Sequence, residues 1–346
     1  ATRVLRRMGV LDELVRHAHV PPAGALRDKG GKQLVRMAAL ETDAPTVFAH
    51  RAELHRALLR AIPPETLHLN RLCASVQRQG NQVRALFADG SHTEWADGLI
   101  GADGIRSAVR EATLADGAPT YRGYVAWRGV ADFPSAGTGG EIVGETWGRG
   151  QRFGFIPLGK GRAGWWATAN KPGHQRQNTC AETQAQWKKE LRARFGTWHA
   201  PIPKLLEETP ESAILCNAIM DRTPPKVARP WGEGPLTLLG DAAHPTTPNL
   251  GQGACMAIED AAVLAHAMAE IPDIAAAFRA YERARYARTA KIARESLKLG
   301  AIGQWENGLA CAVRNFLVRL SPRGGIERQF RELWFYDAWN APVEKP

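Results

Sequence analysis

The spacing of hydrophobic and polar positions changes character along the chain. Near the N-terminus, helical spacing gives way to short alternating stretches. From about residue 121 to 217 the pattern predicts short, aromatic-rich strands, with a helix at residues 181–194. A buried strand at residues 236–239 then leads into a long helix at residues 254–269, and the rest of the chain is mostly helical in pattern.

This order predicts an α/β protein in which a sheet domain interrupts a nucleotide-binding domain. The nucleotide-binding domain resumes at the buried strand, and a helical segment ends the chain. The predicted division assigns residues 1–20, 46–120 and 226–290 to the nucleotide-binding domain, residues 21–45 and 121–225 to the sheet domain, and residues 291–346 to the helical segment.

Composition narrows the class of protein. The 346 residues are 44% hydrophobic and 23% charged, which excludes disorder as the main state. No apolar run reaches the roughly 20 residues of a membrane span, and no signal-peptide layout opens the chain. Five cysteines without a Cys-x-x-Cys pair argue against a disulfide scaffold or zinc site. We therefore expect a soluble cytoplasmic protein without a metal, either monomeric or homodimeric.

The formal net charge of +10 raises the question of an anionic partner. The basic residues are scattered, and their densest stretch, residues 279–294, is interpreted as the solvated face of a helix. No zinc-finger, homeodomain or RNA-recognition motif accompanies the charge. The basic balance is compatible with anionic cofactors, and no nucleic-acid partner is expected.

Residues 159–164 (GKGRAG) match the G-x-G-x-x-G pattern of dinucleotide-binding loops. That loop requires a strand before it and a helix that begins at its last glycine. Here a second strand pattern, Trp165 to Thr168, follows the glycines. The segment is therefore predicted to be a hairpin turn.

Residues 240–245 (GDAAHP) carry a stronger signal for a ligand site. The preceding strand places the Asp241 carboxylate at the carboxyl end of a parallel sheet, where open α/β folds bind ligands. Residues 248–253 (PNLGQG) then lead into a helix whose N-terminal N–H groups favour an anion. A tight turn with a glycine cap is the structural alternative.

Residues 101–110 (GADGIRSAVR) repeat the order of strand end, aspartate and helix start. Arg106 and Arg110 are expected to meet an anionic ligand near that helix end. Asp103 and Ser107 are also good capping residues, so a simple N-cap is an open alternative.

Together these segments resemble a known family. They are similar to the Asp-Gly and Gly-Asp motifs of single-component FAD-dependent monooxygenases with the para-hydroxybenzoate hydroxylase fold, in the branch of zeaxanthin epoxidases, salicylate hydroxylases and urate hydroxylases. Further similarity lies in residues 124–129 (YVAWRG), 256–261 (MAIEDA) and 304–307 (QWEN). The resemblance implies a Rossmann-like FAD-binding domain, an inserted mixed or antiparallel substrate-binding sheet domain, and a helical C-terminus.

The resemblance also implies roles for particular residues. Asp241 would hydrogen-bond the ribityl–phosphate region of FAD, and Arg51 would reach FAD from a helix start. Asp103 with Gly104 would support FAD and NAD(P)H pyrophosphate contacts. The remaining implied FAD contacts are Gly251, Gln252 and Gly253 at the pyrimidine edge of the flavin ring, and Pro248 beside the ring near the substrate.

The family pattern begins with a strand, a G-x-G-x-x-G loop and a helix, and this chain opens without them. About 40 residues of the pattern are absent. The segment from Ala1 to Leu14 is similar to the family helix that comes after them. The sequence therefore indicates an N-terminally incomplete FAD-binding domain, and FAD binding by this chain as it stands is an open question.

The implied reaction uses NADPH or NADH, FAD and O₂, and inserts one oxygen atom into an aromatic or other electron-rich small molecule through a flavin C4a-hydroperoxide. Such chemistry needs a dry pocket. The candidate pocket residues are the sheet-domain aromatics Trp127, Phe153, Phe155, Trp165 and Trp166, with core packing as the alternative for each.

Two polar residues are further candidates. Arg162 could meet a substrate anion, although a surface arginine on a hairpin is the other interpretation. His244 is a candidate catalytic base, and loop packing is its alternative. Two other functions remain open: a flavin-dependent reductase or oxidase on the same fold, and a non-catalytic basic binding protein.

Overall fold

The computed structural model describes residues 1–16, 18, 20, 23–38, 43–133, 143–172, 183–321, 331 and 333–344. In chain order, the helices are α1 (Thr2–Arg7), α2 (Leu11–Arg16), α3 (Arg51–Arg60), α4 (Ala108–Leu114), α5 (Gln184–Phe195), α6 (Ile202–Glu208), α7 (Gly253–Glu270), α8 (Ile274–Gly303) and α9 (Gly308–Leu320). The strands are β1 (Ala23–Asp28), β2 (Gln33–Ala38), β3 (Cys73–Gln79), β4 (Gln82–Phe87), β5 (Leu99–Gly101), β6 (Thr120–Asp132), β7 (Val143–Trp147), β8 (Gln151–Gly159), β9 (Arg162–Asn170), β10 (Leu215–Asp221) and β11 (Leu236–Leu238).

A seven-stranded mixed sheet is the largest β structure of the described residues. Its strand order is β10-β6-β9-β8-β7-β1-β2, and every neighbouring pair is antiparallel except β1 with β7. Because β1 and β2 belong to this sheet, the early segment predicted as part of the sheet domain does pair with the later strands. The predicted α/β fold with a mixed sheet and a helical C-terminal part is confirmed.

The alternation of side chains gives the large sheet two different faces. On one face, aromatic residues of β6, β8 and β9 pack against α5 and α6 in a continuous hydrophobic cluster that includes Leu191, Phe195 and Leu205. The opposite face carries polar residues such as Arg128 and Asn217 on neighbouring strands. The position of a residue in the pleat therefore decides whether it enters the core or faces the rest of the protein.

A second core lies around the short parallel pair of β5 and β11. Helices α7 and α8 pack against each other beside this pair, and α4 contacts β11 from another side. The cluster includes Leu236, Leu238, Val263, Phe278 and Tyr281, all nearly inaccessible to solvent. This arrangement carries the loop after β11 to the boundary with the large sheet.

Several local differences from the predicted pattern have simple causes. The N-terminal helix is split into α1 and α2 at Gly9, whose φ of +72° favours glycine. Helix α8 runs without interruption across residue 291, the predicted start of the C-terminal segment. The turn at residues 159–164 is a hairpin between β8 and β9, as predicted, with Lys160 and its flanking glycines at positive φ.

Two further findings concern membrane-spanning helices and the cysteines. Among the described residues, no helix combines the length and apolar character that crossing a membrane requires. Cys73, Cys255 and Cys311 are free thiols, whereas Cys216 on β10 is disulfide-bonded. The cysteine pattern alone had not indicated that bond.

Gly154 on β8 provides a test of the close packing on the cavity-facing side of the sheet. A Cβ at this position would lie 2.0 Å from Cζ2 of Trp166 on β9, so Gly154→Ala must displace the indole ring. Overpacking of this kind is expected to lower the free energy of unfolding by about 1–3 kcal/mol. Urea denaturation followed by tryptophan fluorescence measures the change.

The matched control is Gly30→Ala. A Cβ there would lie 3.5 Å from Oδ1 of Asp28, an ordinary van der Waals contact, on an exposed turn. This variant is expected to shift the free energy of unfolding by less than about 0.5 kcal/mol. Equal unfolding midpoints for the two variants would contradict the packing proposed for Trp166.

Candidate active site

A cavity of about 510 Å³ lies where the large sheet meets the loop after β11. The loop contributes Asp241 and residues 245–248 to its wall, and β6 and β10 contribute Arg128 and Asn217. Five residues singled out from the sequence as FAD contacts line this one cavity: Arg51, Asp241, Pro248, Gly251 and Gly253. The fold thus brings together side chains that lie up to about 200 positions apart in the sequence.

The loop after β11 reaches the cavity through two tight turns. Gly240 takes a φ of +60° and starts a single turn of 3₁₀ helix, which presents Asp241 to the cavity. A second 3₁₀ turn, Pro248–Leu250, ends at Gly251, whose φ is +63°. These left-handed positions explain why the loop carries glycine before and after its polar residues.

Helix α7 begins at the cavity without a side-chain cap. Its N-cap residue is Gln252, and within the part of the chain that the structure describes no side chain caps its first turn. By contrast, Thr183, Asp273 and Asn307 cap α5, α8 and α9 with their side chains. The N–H groups at the start of this 18-residue helix are therefore available to an acceptor in the cavity.

Asp241 lies on the cavity wall, and its side chain is exposed to the open cavity while the neighbouring residues of the turn are buried. Burial raises the pKa of Asp241 above its ordinary value, while the positive charges of His244 and Arg51 act in the opposite direction. Its carboxylate also lies close to the start of α7, because a Cβ at Gly253 would be 3.8 Å from Oδ1 of Asp241. The side chain can therefore accept hydrogen bonds from a ligand that contacts α7.

Arg51 and Arg128 make one part of the cavity wall positive. Nη1 of Arg128 donates a hydrogen bond of 3.1 Å to Oδ1 of Asn217 on the neighbouring strand. Burial lowers the pKa of Arg128, and the charge of Arg51 lowers it further. Two cations against the single carboxylate of Asp241 favour an anionic or electron-rich ligand here.

The structure places His244 behind the loop rather than on the wall of this cavity. Its Nε2 lies 2.6 Å from Oδ2 of Asp260 on α7, and its ring centroid is 5.3 Å from that of Trp231. The loop-packing alternative for His244 therefore describes its observed contacts. A direct role of His244 as a catalytic base remains a prediction without support from its position.

The buried Asp260 carboxylate forms hydrogen bonds with several groups around the loop. The same Oδ2 accepts a 3.0 Å hydrogen bond from the backbone N–H of Gly240, and Oδ1 accepts one of 2.7 Å from Nε of Arg285. Burial by itself would raise the pKa of Asp260, but the charges and hydrogen bonds of His244 and Arg285 bring its pKa below the ordinary value. The carboxylate thus holds the strand-end turn against two helices.

The prediction of a solvated basic face at residues 279–294 holds in part, because Arg283 and Lys291 are exposed. It is wrong for the arginines that turn inward. Arg285 is fully buried and also donates to Glu259 at 2.9 Å. Arg279 and Arg288 likewise point inward, toward backbone carbonyls or Glu259. Regular spacing of arginines could not reveal this, because their carboxylate partners lie on the preceding helix.

Arg110 pins the same loop from the side of α4. Its Nη1 donates to the carbonyl oxygens of Ala242 and Ala243, each at 2.7 Å, and its Nε and Nη2 donate to Asp116. The expectation that Arg110 meets an anionic ligand is therefore wrong, since its donors are engaged within the protein. Arg106 is exposed at the start of α4.

Asp103 caps α4. Its Oδ2 accepts hydrogen bonds from the backbone N–H groups of Ala108 and Val109, at 2.7 and 3.2 Å, and Oγ of Ser107 accepts one from Arg110. The structure thus shows the capping alternative for both residues. Neither Asp103 nor Gly104 lines the 510 Å³ cavity, although the next residue, Ile105, does.

Four of the five aromatic residues predicted for the substrate pocket are instead in the core. Trp127, Phe153, Phe155 and Trp165 are at most 2% exposed and pack on the helix-covered face of the sheet. Their alternative, core packing, describes what the structure shows, and none of them lines the cavity. Trp166, the residue after Trp165 on β9, points to the opposite face of the sheet, where its Nε1 donates a hydrogen bond to Glu145. Arg162, in the β8–β9 hairpin, also lies away from the cavity wall.

A buried polar network that sequence reasoning missed joins the loop to the sheet. Oδ1 of Asn249 accepts a 2.6 Å hydrogen bond from Nη2 of Arg152 on β8, and Nδ2 of Asn249 donates to the carbonyl of Ser296 on α8. Nε of Arg152 donates to Gln304, beyond the end of α8. In the sequence, the one indication that Asn249 has a role is its place between two turns that contain glycine. Position 300 must be glycine here, because a Cβ would lie 2.3 Å from Nδ2 of Asn249.

The comparisons with known proteins agree with this geometry. A family model described as "FAD binding domain" matches residues 1–296, so the chain belongs to that family. The aurachin C monooxygenase/isomerase of Stigmatella aurantiaca is 38% identical over 335 residues, which cover 96% of this chain and 85% of that protein. The 6-hydroxynicotinate 3-monooxygenase of Bordetella bronchiseptica is 34% identical over 305 residues, covering 85% and 78%.

A solved structure of Klebsiella pneumoniae HpxO, complexed with FAD and uric acid, superposes with a TM-score of 0.85 at 26% identity, and covers 96% of this chain and 85% of that one. The chain is therefore an FAD-dependent monooxygenase that uses NAD(P)H, and the predicted cofactor and class of enzyme are confirmed. The reductase or oxidase and the non-catalytic binding protein are accordingly set aside.

Asp260→Asn is expected to destabilise the fold strongly. The substitution removes a buried charge, leaves Arg285 with Glu259 as its remaining carboxylate partner and takes the carboxylate away from His244. Breaking a buried ion pair in this way costs about 3–5 kcal/mol. Because the pKa of Asp260 is lowered in the folded state, this stabilisation is present at neutral pH and is lost as the pH falls below about 4. The difference from wild type should therefore narrow in acid.

Urea denaturation at pH 7 and at pH 3 measures both effects. Asp273→Asn is the matched control, since Asp273 is the N-cap of α8 and asparagine caps equally well. A destabilisation by Asp260→Asn no larger than that of Asp273→Asn at pH 7 would show that the buried network is not what holds the loop.

Proposed function

We propose that the isoalloxazine ring of FAD and an oxygenated aromatic substrate meet in the 510 Å³ cavity. The enzyme would there transfer one oxygen atom of O₂ to the aromatic ring of the substrate, with NAD(P)H as the reductant. One observation carries this proposal. The uncapped start of α7 opens into the cavity opposite Arg128 and Asn217 of the large sheet. A flavin edge and a polar substrate would then face each other between two fixed walls.

The residues present fit FAD. A Cβ added at Gly251 would meet no atom within 4 Å, and one at Gly253 would have its closest contacts at 3.6 and 3.8 Å, so both glycines leave room at the wall that a larger residue would occupy. The start of α7 supplies N–H donors and about half a positive charge, which suit the carbonyl oxygens of a flavin pyrimidine edge. Asp241 would accept from the ribityl hydroxyl groups, and Arg51 would approach the cofactor from the start of α3.

When bound, FAD supplies the redox chemistry: it accepts a hydride from NAD(P)H and, once reduced, activates O₂ for transfer of one oxygen atom. The chain's own residues supply the geometry. The first turn of α7 would stabilise negative charge at the pyrimidine edge of a bound flavin. Pro248 lines the cavity without offering a donor, which helps to keep that side free of water.

Substrate recognition is assigned to the sheet wall. The most similar relatives reported above are named for aurachin C and 6-hydroxynicotinate, and another, from Streptomyces cremeus, is a 3-amino-4-hydroxybenzoate 2-monooxygenase. The last two substrates carry both a hydroxyl group and a carboxylate on a ring. Arg128 and Asn217 would bind such oxygens. We therefore infer a hydroxylated aromatic or N-heteroaromatic substrate for this chain.

Replacement of Asp241 tests the cofactor side of the proposal. Asp241→Asn is expected to weaken FAD binding by about tenfold, because one charge-assisted hydrogen bond contributes roughly 1.5–3 kcal/mol. Quenching of flavin fluorescence during titration of the protein measures the dissociation constant without any need for turnover. The control is Asp89→Asn, on an exposed turn of the β3–β4 ribbon. Equal affinities of the two variants would contradict the assigned role of Asp241.

Replacement of Arg128 tests the substrate side. The substrate is first identified in a panel of hydroxylated aromatic acids and N-heteroaromatics, 6-hydroxynicotinate included, by NAD(P)H-dependent incorporation of ¹⁸O from ¹⁸O₂. Arg128→Gln should then raise KM about tenfold or more, with a smaller effect on kcat, because a charge-assisted contact is lost. The control, Arg36→Gln, changes an exposed arginine on the edge strand β2. An unchanged KM would remove Arg128 from the substrate site.

A further inference from the structure

A second cavity, of about 260 Å³, lies on the other side of the loop that follows β11. Ala243 and His244 of this loop line it, whereas Asp241 and Pro245 line the first cavity. Its remaining wall comes from the end of α4, from the segment after β10 and from α8. None of the functions assigned above uses this space.

Arginines crowd around one carboxylate in the second cavity. Asp116 accepts hydrogen bonds from Nη2 of Arg110 at 2.6 Å, from Nη1 of Arg222 at 3.1 Å and from Nη2 of Arg229 at 2.7 Å. Among the described residues that line the cavity, Asp116 is the one acidic side chain. Three positive charges thus converge on a single negative charge.

Two residues that line the cavity each carry a buried polar atom without a hydrogen-bond partner among the described residues. Nε of Arg222 and Nδ1 of His244 are both buried and make no hydrogen bond among the described residues. The His244 side chain is 6% exposed, and its other ring nitrogen is held by Asp260. An unpaired buried donor or acceptor destabilises the folded protein, so such atoms usually have a ligand or water partner.

The charges within the cavity do not balance one another. The guanidinium nitrogens of Arg110 all donate hydrogen bonds, to Asp116 and to two carbonyl oxygens of the loop. Arg110 therefore contributes a positive charge to the cavity without offering it a donor. Burial lowers the pKa of Arg222, and the charge of Arg110 lowers it further, against the weaker opposing effects of Asp116 and Glu111. An added anion would relieve this repulsion and supply an acceptor to Nε of Arg222.

We propose that the second cavity is an anion site that binds a phosphate group against Arg222 and Arg229, with His244 on the wall formed by the loop. A phosphate dianion would match the excess of two positive charges over Asp116. The group could belong to free inorganic phosphate or to the nicotinamide coenzyme, and the two share the same recognition chemistry. Because its wall includes Ala243 and His244, occupancy would stabilise the loop that also forms the first cavity.

Binding of inorganic phosphate to the FAD-loaded protein tests this proposal, because the pyrophosphate of the cofactor then already fills its own site. Titration by isothermal calorimetry is run at constant ionic strength, with chloride replacing phosphate in the blank. Saturable binding at one site is expected. Arg222→Gln should weaken it at least tenfold, and Arg222→Lys should restore part of it because the charge is retained.

Arg71→Gln is the matched control, because Arg71 also pairs with an aspartate but lies on the exposed β3–β4 side. It should bind phosphate as the wild type does. The thermal midpoint of Arg222→Gln in chloride, compared with that of wild type, verifies that the variant is folded. Non-saturable binding of phosphate, or equal weakening by Arg71→Gln and Arg222→Gln, would overturn the proposal.

The location and the source of the phosphate are separated by two further measurements. In crystals soaked with selenate, anomalous scattering should place the anion beside Arg222, and selenate found solely elsewhere would overturn the site. Displacement of bound phosphate by NADP⁺ but not by NAD⁺ would identify the 2′-phosphate of the coenzyme as the occupant. Retention of phosphate in the presence of both nucleotides would identify a free anion.

Discussion

The buried carboxylate of Asp260 is the constraint on which the active site depends. It accepts hydrogen bonds from the backbone of Gly240, from His244 and from Arg285, all out of contact with solvent. A buried carboxylate is tolerable only when its partners satisfy it, so these three groups are held in one arrangement. That arrangement sets the position of the turn that presents Asp241 to the cavity.

The same loop is held from other directions by groups of different chemistry. Arg110 of α4 binds the two carbonyl oxygens that follow Asp241, and Asn249 ties the next turn to Arg152 of the sheet and to α8. Each contact uses a backbone carbonyl or a side-chain amide of the loop itself. These contacts hold the loop in place between the regular elements, and the proposed placement of a flavin ring against it would require such a fixed wall.

The large sheet serves the site through its polar face. Its apolar face is closed by α5 and α6, so the aromatic residues there contribute stability, while the opposite face offers Arg128, Asn217 and Trp166 to the rest of the protein. One sheet thereby combines a hydrophobic core with a recognition surface. The arginine-rich second cavity shares this loop with the first cavity, since Ala243 and His244 line the second cavity and Asp241 lines the first.

The sequence by itself determined the class of fold, the position of the loop after β11 and the glycines that shape it, because these depend on local spacing and on backbone conformations that few residues adopt. It could not determine which sheet face carries function, since a shift of one position exchanges Trp165 for Trp166. Nor could it determine that Arg285 is buried or that Arg110 binds the loop, because Asp260 lies 25 positions from Arg285 and the carbonyl of Ala243 lies 133 positions from Arg110. Tertiary structure decided these points, since burial and ion pairing depend on which distant segments the fold brings into contact.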